Sequence, residues 1–433
     1  MTSLPRALSP LRLHEYRLLA ASMTFSLLAA GLWAVALVWQ VVALHGGPAA
    51  LSLVTALGAG GMLASTLLGG ALADRIPQRR ILLATESIQG VAMAVVAALS
   101  LAGVVQLGQL AAMSLIGGLA MGLYYPAYSA LVPSLVPEGE LLAVNGLEGM
   151  LRPVLQNAAG PAAAGFLVAA LNPGAALAAT AVASLLAALC LWRLPNTPVR
   201  RDPAADGETT GLFADVREGF VYMVRTPWLL ATLLFASLML LVFIGPLEVL
   251  VPFAIKDGGG GPQQHAYVLA AFGLGGAVGS LVVASYRLPR RYLTVMNLCW
   301  GLGCIPLVVF GLGSGLWLMI TAGAVMGATF QAGMVIWGTL LQRRVPPALL
   351  GRVSSLDFFV SLSFMPLSMA LAGTVSEVIG LTATFLIAGL APSLMAVVAI
   401  LAARLPADEI EHPLDVVPEL RPEALEDGRL DRV

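Results

Sequence analysis

The chain has 433 residues, of which 58% are hydrophobic and 11% charged, and its formal net charge is −1. A water-facing globule carries about a quarter charged residues, so the composition excludes an ordinary soluble domain. The apolar residues come in blocks long enough to cross a bilayer as helix, which takes roughly 20 residues, and a polytopic membrane protein is expected.

The N-terminus, MTSLPRALSPLRLHEYR, is polar and carries arginines, and the first long apolar run begins at Leu18, so no signal peptide is expected. Twelve helical spans follow, at about 18–44, 50–73, 81–103, 107–132, 144–171, 174–194, 228–253, 264–286, 293–313, 315–341, 354–378 and 381–403. Arginines mark the N-terminus (Arg6, Arg12, Arg17), the second gap (Arg75, Arg79, Arg80), the sixth (from Arg193 to Arg225), the eighth (Arg287, Arg290, Arg291) and the tenth (Arg343, Arg344, Arg352). The odd gaps hold only Lys256, the one lysine of the chain. The positive-inside bias therefore places both termini in the cytoplasm.

The sixth gap, 195–227, is the one long connection. It opens with a polar linker and continues into LFADVREGFVYMVRTP, where Leu212, Val216, Phe220 and Val224 recur at helical spacing and suggest an interfacial amphipathic helix. The halves on either side look related. RIPQRR (75–80) echoes RLPRR (287–291), GAGG (58–61) echoes GLGG (273–276), and VPEGELLAVNGLE (136–148) aligns with VPPALLGRVSSLD (345–357) at a constant offset of 209. Parallel six-helix repeats are the layout of a rocking transporter. Residues 405–433 hold nine acids against three arginines and read as a solvated or disordered extension. Cys190, Cys299 and Cys304 lie in apolar runs and read as packing residues.

GALADRIPQRR (70–80) resembles the loop signature of the major facilitator superfamily, Gly-x-Leu-Ala-Asp-Arg-x-Gly-Arg followed by two basic residues. Gly70, Leu72, Ala73, Asp74, Arg75, Arg79 and Arg80 match; Pro77 stands for the usual Gly and Gln78 for the first of the later basic residues. The resemblance implies a cytoplasmic gate loop that latches the two halves in the outward-facing state, with the aspartate beside the positive start of the eleventh span. GPAAAG (160–165) resembles the Gly-Pro-x-x-Gly-Gly element of exporters in that superfamily, with Ala164 in place of one glycine. Pro161 is expected to kink the fifth span, and Gly160 and Gly165 to admit a close neighbour. YYPAYSALVPSLVPEGELLAVNGL (124–147), VREGFVYMVRTPWL (216–229) and GRVSSLDFF (351–359) resemble the drug- and siderophore-efflux branch, which includes macrolide exporters and actinobacterial Tap-like pumps.

Ionisable residues inside spans mark candidate proton-coupling positions, because a charge near mid-bilayer costs several kcal/mol unless paired or hydrated. Glu148 and Arg152 share a helix face and can pair, either as a staple or as a protonatable switch. Glu248 faces either the cavity or outer water, Asp357 suits an N-cap, and Glu86, one turn from the loop, suits snorkelling. Leu32 follows Gly31 where family members often carry an acid, and the fourth span lacks the family's membrane arginine. Trp33, Gln40, Tyr124, Tyr125, Asn157, Phe330, Gln331 and Trp337 are the candidate cavity lining, each with packing as the alternative.

The expected fold is an all-α integral membrane protein with twelve transmembrane helices in two pseudo-symmetric halves, both termini inside. Its parts are 1–194, a cytoplasmic linker 195–227, a second half 228–403 and an acidic tail 404–433. The resemblance implies a secondary exporter of lipophilic or amphipathic small molecules in a bacterial cytoplasmic membrane, working by proton antiport; a dedicated lipid or siderophore exporter or flippase is the alternative. No enzyme chemistry, metal site, cofactor beyond the proton gradient, or nucleic-acid partner is expected, and membrane lipids, protons and a small substrate are the partners of a monomer.

Overall fold

The computed structural model describes residues 10–73, 76–137, 140–195, 212–286 and 288–414. In chain order the helices are α1 (His14–Ala43), α2 (Pro48–Ala73), α3 (Gln78–Leu101), α4 (Leu107–Leu135), α5 (Leu141–Val154), α6 (Gly160–Ala170), α7 (Pro173–Arg193), α8 (Leu212–Arg225) and α9 (Pro227–Gly245). They continue as α10 (Val251–Asp257), α11 (Pro262–Ser285), α12 (Tyr292–Gly303), α13 (Val308–Gly311), α14 (Leu316–Arg344), α15 (Pro347–Ser363), α16 (Met365–Ile379), α17 (Leu381–Ala402) and α18 (Leu405–Glu411). Among the described residues, eleven helical stretches are long and apolar enough to cross a membrane. The expected fifth span is also helical from Leu141 to Ala170, but as α5 and α6 on either side of a π turn, each too short to cross alone.

The breaks have one cause. A proline inside a helix withholds an N–H, and its ring clashes with the carbonyl four residues back. A π turn, which inserts one residue, relieves the clash. The π turn Leu155–Ala159 stands before Gly160-Pro161, and the π turn Pro246–Leu250 stands before Val251-Pro252. Pro306 falls in the 3₁₀ turn between α12 and α13, and Pro366 lies in the first turn of α16, just after the break at Phe364. The kink expected at Pro161 is thus present as a π turn.

Packing within α9–α17 repeats packing within α1–α7. α2 lies on α4 as α11 lies on α14; α1 on α7 as α9 on α17; α3 on α7 as α12 on α17; and α1 on α6 as α9 on α16. The two groups meet mainly through α2 with α16 and through α6 and its π turn with α11. The Gly373 N–H donates to the Ser52 hydroxyl at 2.7 Å, and a methyl at Gly165 would fall 2.6 Å from Ala266 Cβ. These contacts lie at the end where α2 and α11 begin. At the opposite end, which carries Arg79, Arg193, Arg291 and Arg344, α5 and α15 touch the other group only sparsely. Among the described residues, the two groups are therefore joined mainly at the end where α2 and α11 begin.

Two peripheral expectations change in detail. α8 forms where expected, but it packs through Tyr222 and Met223 and leaves Phe220 and Val224 exposed; the Leu212 and Val216 side chains lie outside the described residues. The acidic tail does not start as a free extension. Residues 405–414 dock on the arginine-rich end, and 415–433 lie outside the described residues. Asp408 forms an ion pair with Arg344, whose guanidinium sits 4.7 Å above the Trp228 ring. Glu409, 2% exposed, accepts from the Thr294 N–H at 2.6 Å and the Thr294 hydroxyl at 3.0 Å. Tyr292 donates its hydroxyl proton to the His412 carbonyl at 2.8 Å. Docking here satisfies charges and helix-end carbonyls that composition alone leaves open.

Burial raises the Glu409 carboxyl above the usual carboxylate range, while the Thr294 donors and Arg291 pull it back. A raised carboxyl contributes fully below its unfolded pKa and loses its contribution as pH rises through the folded value. Protease resistance of the C-terminal segment should therefore be greatest in mild acid and decline as pH rises, and Glu409→Gln should flatten that dependence. Asp408→Ala, which strands Arg344, should loosen the segment at every pH by roughly 1–3 kcal/mol, read as cleavage rate.

Candidate functional site

α4 and α5 enclose a cleft of about 350 Å³ whose walls include Tyr125, Tyr128, Ser129, Val132, Glu148 and Arg152. Helical spacing sets its chemistry: Tyr124 and Tyr128 are one turn apart on α4, and Glu148 and Arg152 one turn apart on α5. The Tyr128 hydroxyl donates to Glu148 Oε1 at 2.6 Å and lies 3.2 Å from Met23 Sδ on α1. The rings of Tyr124 and Tyr128 stack at 5.9 Å with planes 12° apart. Glu148 and Arg152 both face the cleft and feel each other's charge, yet the carboxylate takes its hydrogen bond from Tyr128.

The other half carries a matching arrangement. At the offset of 209, Tyr128 corresponds to Trp337, Glu148 to Asp357 and Arg152 to Ser361. The Trp337 indole N–H donates to Asp357 Oδ2 at 2.9 Å, and the Ser361 hydroxyl to Asp357 Oδ1 at 3.2 Å. Each half thus holds an acid through an aromatic donor twenty residues earlier in the chain. Trp337 is buried among Trp228 and Trp300, each at 6.3 Å between ring centroids. The N-cap expected of Asp357 is not formed, because α15 begins at Pro347, ten residues before it. The polar Gly351-Arg352 stretch had hidden the first turns of that helix from a hydropathy reading.

Other candidates separate by position. Glu86 does not snorkel: it is 2% exposed, covered by neighbouring helices. Glu248, on the π turn Pro246–Leu250, is exposed. Asp74 and Arg75 lie outside the described residues, as does the side-chain region of Gly70. Arg79 donates to the Leu191 carbonyl at 2.9 Å and the Trp192 carbonyl at 2.5 Å, closing the end of α7, whose last carbonyls have no helical partner. Arg80 is exposed.

In the helix-5 motif, a methyl at Gly160 would fall 2.7 Å from the Gly31 Cα, so α6 and α1 cross backbone to backbone at this pair; Pro161 is buried at the same crossing. Gln40 is a correction to the cavity set: it is 4% exposed and accepts from the Ser100 hydroxyl at 2.5 Å, joining α1 to α3. Trp33 packs on the core, Phe330 does likewise while its carbonyl accepts from Trp300, and Asn157 and Gln331 pack against Gly273 and Gly276 of α11. Tyr125, 54% exposed, lines the cleft, and the Tyr124 hydroxyl is buried. The Tyr128 donor was missed by sequence reasoning, although its place at the same offset as Trp337 was visible.

A family model described as a transmembrane secretion effector matches residues 5–426. The multidrug efflux pump Tap of Mycolicibacterium fortuitum is 27% identical over 388 residues, covering 87% of this chain and 92% of that protein. Macrolide efflux protein A of Streptococcus pyogenes is 23% identical, covering 85% of this chain and 91% of its own length. These relatives bear out the resemblance to the drug-efflux branch. Among solved structures, the nucleoside transporter NupG superposes with a TM-score of 0.70 at 14% identity, covering 90% of this chain and 98% of that one. A bacterial homologue of the human lysosomal transporter Spinster gives 0.65 at 16% identity, covering 94% and 99%. At such identity these show the fold, that of a multi-pass membrane transporter.

If the hydrogen bonds to Glu148 and Asp357 hold the acids in place, deleting the donors should destabilise both halves. Tyr128→Phe and Trp337→Phe should each lower the stability of the detergent-purified protein by roughly 0.5–1.5 kcal/mol, the net worth of one hydrogen bond, read as a lower Tm by intrinsic fluorescence or light scattering.

Proposed function

The chain belongs to the transmembrane secretion effector family of the major facilitator superfamily, and we propose that it exports lipophilic or amphipathic drugs from a bacterial cell across the cytoplasmic membrane by proton antiport. The names of the relatives favour drugs over a dedicated lipid or siderophore as cargo. The observation that carries the reading is the cleft between α4 and α5, with Tyr125 as an aromatic wall and Glu148 and Arg152 as its charged groups. Apolar and aromatic walls with a few polar groups suit amphipathic ligands.

In this reading α5 and α6 together make a twelfth span, and both termini and the arginine-rich end face the cytoplasm. The cleft is then open to the cell interior, where an exporter collects its cargo. Residues 1–194 and 228–403 rock as two units about the contacts of α2 with α16 and α6 with α11, and the 195–227 segment joins them. The gate loop around Asp74, Arg75, Arg79 and Arg80 secures the closed cytoplasmic end in the opposite state. Glu148 exchanges protons with the cytoplasm, with Glu248 on the other half reached from the internal space. The protein acts as a monomer and performs no covalent chemistry; the proton gradient is the only energy source it uses.

The test is efflux of ethidium from cells depleted of their own pumps, with and without a protonophore. Wild type should lower ethidium accumulation and the protonophore should abolish the effect. Glu148→Gln should slow efflux about tenfold, equivalent to roughly 1.4 kcal/mol of barrier. Absence of efflux by protein present in the membrane would remove the drug-export reading, and efflux insensitive to the protonophore would remove the antiport.

A further inference from the structure

The cleft between α4 and α5 carries one group of each charge, and the two do not pair. Glu148 and Arg152 stand one turn apart on α5, both half-buried and both in the cleft wall. Glu148 accepts from the Tyr128 hydroxyl at Oε1, and among the described residues no donor reaches its Oε2. Among the same residues no acceptor reaches the Arg152 guanidinium, which feels the Glu148 charge without forming an ion pair with it. Tyr125, Val132, Pro133 and Leu141 supply aromatic and apolar wall beside these two groups.

The other half shows the same construction closed. At the offset of 209, Glu148 corresponds to Asp357 and Arg152 to Ser361. There Trp337 donates to one carboxylate oxygen and Ser361 to the other, so both are taken by the protein. Were holding an acid in place the whole purpose, a serine in place of Arg152 would serve as Ser361 does. Arginine instead leaves one carboxylate oxygen open and adds a planar fork of N–H donors, none of them engaged by the described residues.

What such a pair selects follows from water. In a hydrated cleft both charges are solvated and neither needs a partner. A ligand that fills the cleft strips that water, and any charge it leaves unmatched is then costly. A neutral amphiphile strands both groups. A lone ammonium meets Glu148 and strands Arg152, and a lone acid does the reverse. A head group with an ammonium and a carboxylate on one carbon meets both, and its carboxylate can take the guanidinium fork through two parallel N–H···O bonds. Sites built to hydrogen-bond a ligand group reject analogues that lack it, because the site's own polar group is left unpaired. If Glu148 and Arg152 neutralised each other on filling, the cleft would be indifferent to the head group.

We propose that the cleft binds amphipathic zwitterions, with the ligand's ammonium on Glu148 Oε2, its acidic group on Arg152 and its apolar body against Tyr125, Val132 and Leu141. Arg152 is the residue that sets this specificity. Lipophilic cations meet only Glu148 and are the weaker ligands. The place of this preference in transport rests on the export reading above; the binding preference itself does not.

Four fluorescent probes with a common dansyl body test it. They are Nε-dansyl-lysine (zwitterion), its methyl ester (cation), ε-(dansylamino)hexanoate (anion) and the corresponding hexanamide (neutral). Binding to the purified full-length protein is read as energy transfer from its tryptophans to dansyl. Wild type should bind the zwitterion about tenfold more tightly than each of the others. Arg152→Gln should bring the zwitterion down to the level of the methyl ester. Arg152→Lys, which keeps the charge but not the fork, should retain part of the preference. Equal affinity for all four heads, no saturable binding of the zwitterion, or a preference that survives Arg152→Gln overturns the proposal. The wild-type comparison needs no variant, so a misfolded Arg152→Gln does not shield the proposal from refutation. Ethidium efflux from cells reads the export function separately. Efflux without any preference among the heads removes the zwitterion site and keeps the exporter; preference for the zwitterion without efflux removes the drug-export reading and keeps the site.

Discussion

An acid inside a bilayer-spanning bundle has no bulk water to solvate it, and the interior of both halves is arranged around how each acid meets that demand. Glu148 and Asp357 do so in the same way, by accepting a hydrogen bond from an aromatic side chain of the preceding span. Aromatic donors suit the task because they fill apolar volume while presenting one N–H or O–H at the tip. Their surroundings then diverge. Asp357 has a second donor in Ser361 and a wall of tryptophans, so its acceptors are spoken for within the protein. Glu148 has one donor and an open cleft, with Arg152 where the other half has serine. One construction thus sits among tryptophans in one half and beside an open cleft in the other.

The same economy governs the backbone. In lipid every N–H and C=O must be satisfied within the segment or by a neighbour, so helices cannot simply stop inside the membrane. The breaks at Pro161, Pro252 and Pro306 therefore take the form of π and 3₁₀ turns that keep the ladder nearly whole, and the break before Pro366 is a single turn residue. Pro161 and Pro366 lie on spans that join the two groups of helices, through α6 on α11 and α16 on α2. Bending a span there separates a tightly packed end, where Gly165 and Gly373 lie against the other half, from a sparse end carrying the arginines.

Much of this was legible in the sequence because hydropathy and repeats are long-range averages that local chemistry cannot erase. The apolar blocks, the constant offset of 209 and the kink at Pro161 all needed only residue type and spacing. What failed needed a neighbour. Glu86 reads as snorkelling from its distance to the loop, and only the coverage by adjacent helices shows that it stays inside. Asp357 reads as a cap because hydropathy begins late, while Pro347 can open the helix early, its missing N–H costing nothing in the first turn. Gln40 reads as cavity lining until Ser100, sixty residues away, claims it. Glu148 and Arg152 do share a face, but which partner wins the carboxylate depends on α4, and helical spacing within α5 says nothing of that.

A transporter that rocks between two states needs the halves to share a frame but not a chemistry. Were both to titrate at equivalent depths, a proton would bias each half toward the same change and the two would have to be loaded together. Here the frame is duplicated, down to acids held at the same offset, while the residues around them differ: Glu86 against Asn297, Tyr124 against Gly333, Arg152 against Ser361. The second half keeps a polar side chain at two of these places, Asn297 and Ser361, and a glycine at the third, against which Trp300 packs. It spends its aromatic volume on Trp228, Trp300 and Trp337, tied through Arg344 to the docked α18. The shared frame is thus kept by matching helix contacts, while the polar groups carried on it differ between the halves.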